Sequence, residues 1–189
     1  MIYEPREDSY LLQKVLIDYL SKLKNKNISI LDMGSGSGIQ AQTCRDLGFK
    51  NILTADINKE AVNHLKQQGF QSIHSNLFKT IKKSKNEYEK FDLIIFNPPY
   101  LPLDKREPKD SRLATTGGKK GCEIIIRFLE QAKSYLPSKG IILLLISSLS
   151  KPEIIKQYLK RYNYHAQELS NQKLFFEQLY ILKIKNKTN

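Results

Sequence analysis

The sequence predicts a single α/β domain built on a doubly wound, mostly parallel, seven-stranded sheet. Three observations predict it. Short apolar runs alternate with stretches of helical apolar spacing along almost the whole chain, and that alternation is the pattern of strands joined by right-handed helical crossovers. Most of the runs end in clusters of glycine, asparagine or proline, where such sheets carry their ligands. The length, 189 residues with 40% hydrophobic and 26% charged, suits one globular domain that needs no disulfide or metal staple.

The elements follow in order. Residues 7–24 place Leu11, Leu12, Val15, Leu16, Tyr19, Leu20 and Leu23 on one helical face. Residues 28–32 form a strand that runs into a Gly/Ser turn, and 38–48 a helix stopped by Gly48. Strand 52–57 precedes helix 59–68, which Gly69 closes, and 71–75 is a short third strand. Residues 82–90 are a charged loop, and the apolar run 91–96 is broken by Asn97-Pro98-Pro99, because proline lacks the amide that a ladder needs. The polar, basic segment 101–120 is too long for a simple connection and is expected to face a substrate. Helix 121–136, the apolar strand 140–147 and helix 152–162 continue the alternation. Segments 164–169 and 175–184 suggest a C-terminal antiparallel hairpin, with 184–189 as a disordered tail.

Composition excludes several classes. Lys+Arg 31 against Asp+Glu 19 gives a net charge of +12, which attracts polyanions. The bases are nearly all lysine and scattered, so charge alone selects no nucleic-acid stripe. Cys44 and Cys122 form no CxxC pair, which fits a reducing compartment. The first residues lack a basic start and an apolar core, unlike a secretory signal, and the run 141–146 is too short to span a bilayer. A soluble, cytoplasmic protein is expected. His64, His74 and His165 share no ligand spacing, and there is no metal set and no Ser-His-Asp arrangement.

The chemistry lies at three strand ends. The first is Asp32-Met33-Gly34-Ser35-Gly36-Ser37-Gly38, whose alternating glycines let a ligand approach the backbone. Gly36-x-Gly38-x-x-Ala41 formally fits a dinucleotide fingerprint. A carboxylate at the strand tip, Asp32, disfavours a pyrophosphate and favours a cationic ligand such as S-adenosylmethionine (SAM), with its ammonium and sulfonium. The second end carries Asp56, 18 residues beyond Gly38, placed to hold both hydroxyls of a ribose; the alternative role is an N-cap on the next helix. The third end is Asn97-Pro98-Pro99-Tyr100. Its prolines remove donors and leave two acceptors, the Asn97 amide oxygen and the Pro98 carbonyl. Two convergent acceptors suit a planar NH₂ group, and Tyr100 can pack on its flat face. Such a nitrogen has a delocalised lone pair, so positioning and electrostatics must carry its reaction.

With these motifs in this order, the chain resembles a class I SAM-dependent methyltransferase, a Rossmann-like fold, that modifies amide or amine nitrogens. Within that class it resembles the HemK/PrmC family of protein-(glutamine-N5) methyltransferases, which act on the Gly-Gly-Gln loop of class 1 peptide release factors. Tyr3-Glu4-Pro5-Arg6-Glu7-Asp8-Ser9 is similar to the YEPxEDS start of the short archaeal and eukaryotic branch, and Thr116 to Glu123 to its WxGGxxGxE loop.

The resemblance implies SAM as cofactor, held by Asp8, Asp32, Gly34, Ser35, Gly36, Gly38, Asp56, Ile57, Asn76, Leu77 and Asn97, with Asn97, Pro98, Pro99 and Tyr100 orienting the amide. It implies residues 1–26 as a lid and helix, with Glu4, Pro5 and Asp8 over the cofactor. The alternative there is an ordinary helix start, with Glu7 and Asp8 stabilising the first turn. It implies a release factor as substrate and a small zinc-binding activator protein as heterodimer partner. Strand three, an edge in the usual order of this fold, would be open to strand addition by that partner.

The chain departs from the family at Thr115-Thr116, where an aromatic is usual, and at Asn76, where an acid is usual. Asn76 can still hydrogen-bond an adenine edge. Only one helix precedes strand one, where the bacterial branch carries a helical domain. The alternative substrate is a nucleic acid, methylated at adenine N6 or guanine N2, although 189 residues leave no room for a domain that extrudes a base. A module that binds SAM without turnover is a third reading.

Overall fold

The computed structural model describes residues 2–81, 89–106 and 108–187. The charged loop expected at 82–90 lies, for 82–88, outside the described residues. The chain runs α1 (Glu7–Ser21), β1 (Ile30–Met33), α2 (Ile39–Asp46), β2 (Ile52–Asp56), α3 (Lys59–Gln67), β3 (Gln71–His74) and β4 (Leu93–Phe96). It continues through β5 (Leu101–Pro102), α4 (Lys109–Thr115), β6 (Thr116–Gly118), α5 (Glu123–Ala132), β7 (Ile141–Ser147), α6 (Pro152–Arg161), β8 (Tyr164–Lys173) and β9 (Gln178–Asn186).

Seven strands form one sheet in the order β3-β2-β1-β4-β7-β9-β8. The first five are parallel, and β9 runs antiparallel between β7 and β8. The chain builds outward from β1 to β3, then returns to β4 on the other side of β1. That reversal opens a crevice past the carboxyl ends of β1 and β4.

Period-two alternation sorts the strand residues onto two covered faces. Ile30, Leu93, Ile95, Ile141, Leu143 and Leu145 pack with Leu12, Leu16 and Leu20 of α1, Ala41 and Cys44 of α2 and Leu65 of α3. Leu31, Met33, Ile94, Phe96, Ile142, Leu144 and Ile146 pack with Ile125, Phe128 and Leu129 of α5 and Ile155 and Leu159 of α6. Asp32 therefore shares the α1–α3 face with Ile30. The sheet and the hairpin match the sequence expectation. No helix among the described residues is long and apolar enough to cross a membrane.

Two expectations are corrected. The tail expected at 184–189 is strand through Asn186: Ile184 is fully buried, Lys185 pairs with Ile141 and His165, and the Lys187 amide donates to the Asn163 carbonyl at 3.0 Å. Its charged residues face outward while the strand is paired on both sides, which a composition argument does not see. The segment 101–120 is not one open loop, for it holds β5, α4 and β6, and β5 and β6 pair in parallel. Truncation after Ile184 is expected to remove about 1–3 kcal/mol of stability through these lost ladder contacts. A urea denaturation midpoint unchanged by the truncation would show the last strand residues to be dispensable.

Candidate functional site

The loop between β1 and α2 is held by its own backbone. The amides of Gly34 and Ser35 donate to the Ala55 carbonyl at 2.7 and 3.3 Å, and the Gly38 amide to the Ser35 carbonyl at 2.7 Å. Gly38 has φ +85°, and a Cβ there would overlap the Leu65 side chain, so only glycine both turns the chain and lets α3 close on it.

Two buried carboxylates fasten this loop. Asp56, the last residue of β2, accepts from the amides of Gly36 at 2.8 Å and Asn58 at 2.7 Å. The cap of α3 is instead Asn58, whose side chain accepts from the Glu60 amide at 3.0 Å, so the N-cap alternative for Asp56 does not hold. Burial raises the Asp56 carboxyl above its ordinary range, against the amides of Asn58, Gly36 and Ile57 and the nearby His74, which lower it.

Asp32, expected at the strand tip, lies one residue inside it. Strand β1 continues to Met33, so Asp32 lies within the ladder, 2% exposed, and its Oδ2 accepts from the Ala41 amide at 3.1 Å. Burial pushes its carboxyl up to about 7, opposed by the Ala41 amide and reinforced by the charge of Asp56. The carboxylate thus ties α2 to the sheet from beneath the loop.

The other expected cofactor residues are arranged unevenly. Ile57 is exposed beside Asp56. Asn76 is exposed, and its amide oxygen accepts from Arg127 at 3.2 Å. Leu77 has φ +52°, and its side chain is buried in the core with Phe78 and Ile81. Only the backbone of Leu77 is available to a ligand. The Ser35 hydroxyl is buried with no partner among the described residues.

Past β4, Asn97 meets the start of α1. Its Nδ2 donates to Asp8 Oδ2 at 3.1 Å and to Ser9 Oγ at 3.4 Å. Asp8 is buried and also accepts from the Tyr3 hydroxyl at 3.1 Å and the Ser9 amide at 2.6 Å. A carboxylate only accepts, so the NH₂ end of Asn97 must face Asp8 and its oxygen must face away. That oxygen, Oδ1, is buried and has no partner among the described residues. Asp8, expected over the cofactor, is here the carboxylate that fixes the direction of the Asn97 amide.

Tyr100 is half-buried and packs against both core clusters. Burial first, and then the charges of Asp8 and Glu177, hold its phenol protonated well above the ordinary range. The segment after Pro99 is clamped by residues of the 116–123 loop, which the sequence matched to the family pattern without giving them a role. A Cβ on Gly117 would strike the carbonyls of Gly121 and Pro99. The Leu103 amide donates to the Gly118 carbonyl at 2.9 Å, and the Glu123 carboxylate takes the Lys120 amide at 3.0 Å. Three glycines within the five residues 117–121 were the available signal. No cluster of His, Cys, Asp and Glu that could hold a metal occurs among the described residues.

The model of the family described as methyltransferase small domain matches residues 13–173. A protein of Methanocaldococcus jannaschii, named as a candidate protein N5-glutamine methyltransferase, is 36% identical over 184 residues, covering 96% of this chain and 90% of its own. The methyltransferase HEMK2 of Homo sapiens is 30% identical over 169 residues, covering 84% of this chain and 78% of its own. Among solved structures, a chain of the E. cuniculi Mtq2-Trm112 complex, described as responsible for methylating the eRF1 translation termination factor, superimposes with a TM-score of 0.74. It is 26% identical and covers 98% of this chain and 99% of its own.

The buried Asp32 generates a pH prediction. Its carboxyl titrates near 3.8 when unfolded and near 7 when folded, so between those values the folded state holds the extra proton. Its contribution is full below pH 4 and is lost as pH rises through 7, a fall of at most about 3 kcal/mol between pH 5 and 8. Asp32→Asn keeps an acceptor for Ala41 and removes the ionisation, so its urea stability should fall less over that range. Equal falls in both proteins would place the effect elsewhere.

Proposed function

Because the chain belongs to the methyltransferase small domain family, we propose that it transfers a methyl group to the side-chain amide nitrogen of a glutamine, the one in the Gly-Gly-Gln loop of a class 1 release factor. One observation carries the reading: the Asn97 oxygen is buried, without a partner among the described residues, and fixed in direction by Asp8. A primary amide NH₂ is the group that such an acceptor satisfies. The name of the Methanocaldococcus jannaschii relative supports a glutamine N5 acceptor, and the description of the E. cuniculi complex supports a translation termination factor as its carrier.

The fit to SAM rests on this structure's own atoms. The Gly34–Gly38 loop, the Asp56 carboxylate and the unpartnered Ser35 hydroxyl suit a nucleoside with a hydroxylated sugar, and the exposed Ile57 offers an apolar face to its base. SAM, when bound, supplies an electrophilic methyl group. The Asn97 oxygen accepts one amide hydrogen and the Pro98 carbonyl the other, which turns the nitrogen toward the methyl. Tyr100 covers the flat face of the amide and excludes water, and the Gly117 clamp keeps Pro98 and Pro99 in place. The carboxylate of Asp8 works through Asn97: it sets which end of that side chain meets the substrate.

A small activator subunit belongs to the same proposal. Among the described residues strand β3 has only β2 beside it in the sheet, so its outer edge can accept a strand from a partner, with the His74 carbonyl there already taken by the Thr80 hydroxyl. The E. cuniculi chain that resembles this one is in complex with Trm112; any zinc is expected to reside in the activator. Coexpression with such a protein should give a stable heterodimer, whereas full activity of the monodisperse chain alone would remove the need for it.

The test is methyl transfer from labelled SAM to the release factor of the same organism, to its Gln→Ala variant, and to total RNA and DNA. Label on the factor that disappears in the Gln→Ala variant is expected; label on nucleic acid alone would overturn the reading. Asn97→Ala should lower kcat by about 100-fold or more while SAM still binds, the scale of losing one positioned polar group at a reacting centre. Unchanged turnover would release Asn97 from this role.

A further inference from the structure

We propose that the Phe175–Phe176 tip of the β8–β9 hairpin is a docking knob for the body of the protein substrate, outside the loop that carries the glutamine. The inference rests on the reading above, in which the methyl acceptor is a protein.

The two rings are 92% and 84% exposed and meet edge to face with centroids 4.6 Å apart. Single exposed apolar residues are ordinary, but two adjacent phenylalanines on a braced tip are not. The Leu174 amide donates to the Glu177 carbonyl at 2.8 Å, the Ser147 hydroxyl to the Glu177 carboxylate at 2.5 Å, and the Gln178 amide to the Ser148 hydroxyl at 3.0 Å. Leu174 packs in the same apolar cluster as Tyr100. The structure therefore fixes this tip instead of letting it fold inward.

Its position follows from the register. Leu179 pairs with Ser147, the last residue of β7, and β9 is antiparallel to the strands that carry the site. The hairpin tip thus lies at the carboxyl end of the sheet, the end at which Asn97 stands. Strand β5, which continues from Tyr100, lies against the turn Ser148–Ser150 that supports the tip. Leu103, just after β5, and Leu149, in that turn, are also exposed. A glutamine entering between Asn97 and Tyr100 brings the rest of its protein over this rim.

The chemistry of the tip favours a protein over the other occupants. Residues 174–178 are Leu-Phe-Phe-Glu-Gln, with one carboxylate and no cation, and the exposed Lys173 beside them is a single charge, so a phosphate backbone finds at most one partner at the tip. The β3 edge assigned to the activator is at the far side of the sheet, six strand spacings or roughly 29 Å away. Apolar rings that stand proud of a surface are anchors for a partner's apolar pocket.

The experiment compares the protein with its Phe175→Ser, Phe176→Ser double variant, each in the same subunit complex, on two acceptors: the intact release factor and a short peptide containing Gly-Gly-Gln. Both side chains are exposed, so folding and SAM binding should be unchanged. The expected result is a KM for the intact factor raised about tenfold or more, with kcat kept and kcat/KM for the peptide unchanged. Equal loss on both acceptors, or no loss on either, overturns the proposal. So does a wild-type oligomer that the substitutions dissociate, or a loss confined to RNA binding. A wild-type protein that labels neither acceptor overturns the parent reading, and this one with it.

Discussion

A parallel sheet covered on both faces can hold polar chemistry only where its strands stop. Every residue of β1, β2, β4 and β7 is buried, and a polar group in those ladders must be matched or neutralised. The chain meets this constraint by putting its glycine loop, Asp56 and Asn97 at or just past the carboxyl ends of β1, β2 and β4. Asp32 is the exception, and it behaves as the constraint requires: it takes a helix amide and gives up its charge more readily than an exposed carboxylate.

The site is then a matter of acceptors and donors that face one way. Asp8 and Asp56 each bind backbone or side-chain donors of this chain, so neither is a loose charge. Asp8 accepts from Tyr3, Ser9 and Asn97, which leaves a neutral amide oxygen as the acceptor past β4. A neutral acceptor suits a neutral amide. A free carboxylate in that place would be costly to bury and would favour a cation instead.

The fold was largely legible in the sequence because its signals are local. The alternation of apolar runs, Gly48 and Gly69 as helix stops, and the Asn97-Pro98-Pro99 break each act over a few residues. The strand-end positions of Asp56 and Asn97 followed from them. What was not legible joins distant parts of the chain. The contact of Asn97 with Asp8 spans 89 residues, and Gly117 meets the Pro99 carbonyl across a helix and a strand that composition presented as one loop. Asp32 was placed at a tip because the end of β1 is uncertain by a residue from sequence alone, and one residue decides between solvent and core. Lys185 and Asn186 looked like a tail because a paired strand at a sheet's interior can still carry outward-facing charge.

The strand order has a consequence for synthesis. Helix α1 packs against α2 and also against β7, β8 and β9, the last two of which follow it by more than 140 residues. A nascent chain that has completed β4 already holds Asn97 and the glycine loop. Yet α1, with Asp8 on its first turn, has no complete surface to rest on until residues 178–186 leave the ribosome. Prematurely terminated products would carry the whole glycine loop without the full surface that seats α1, their β7 flank bare to other chains.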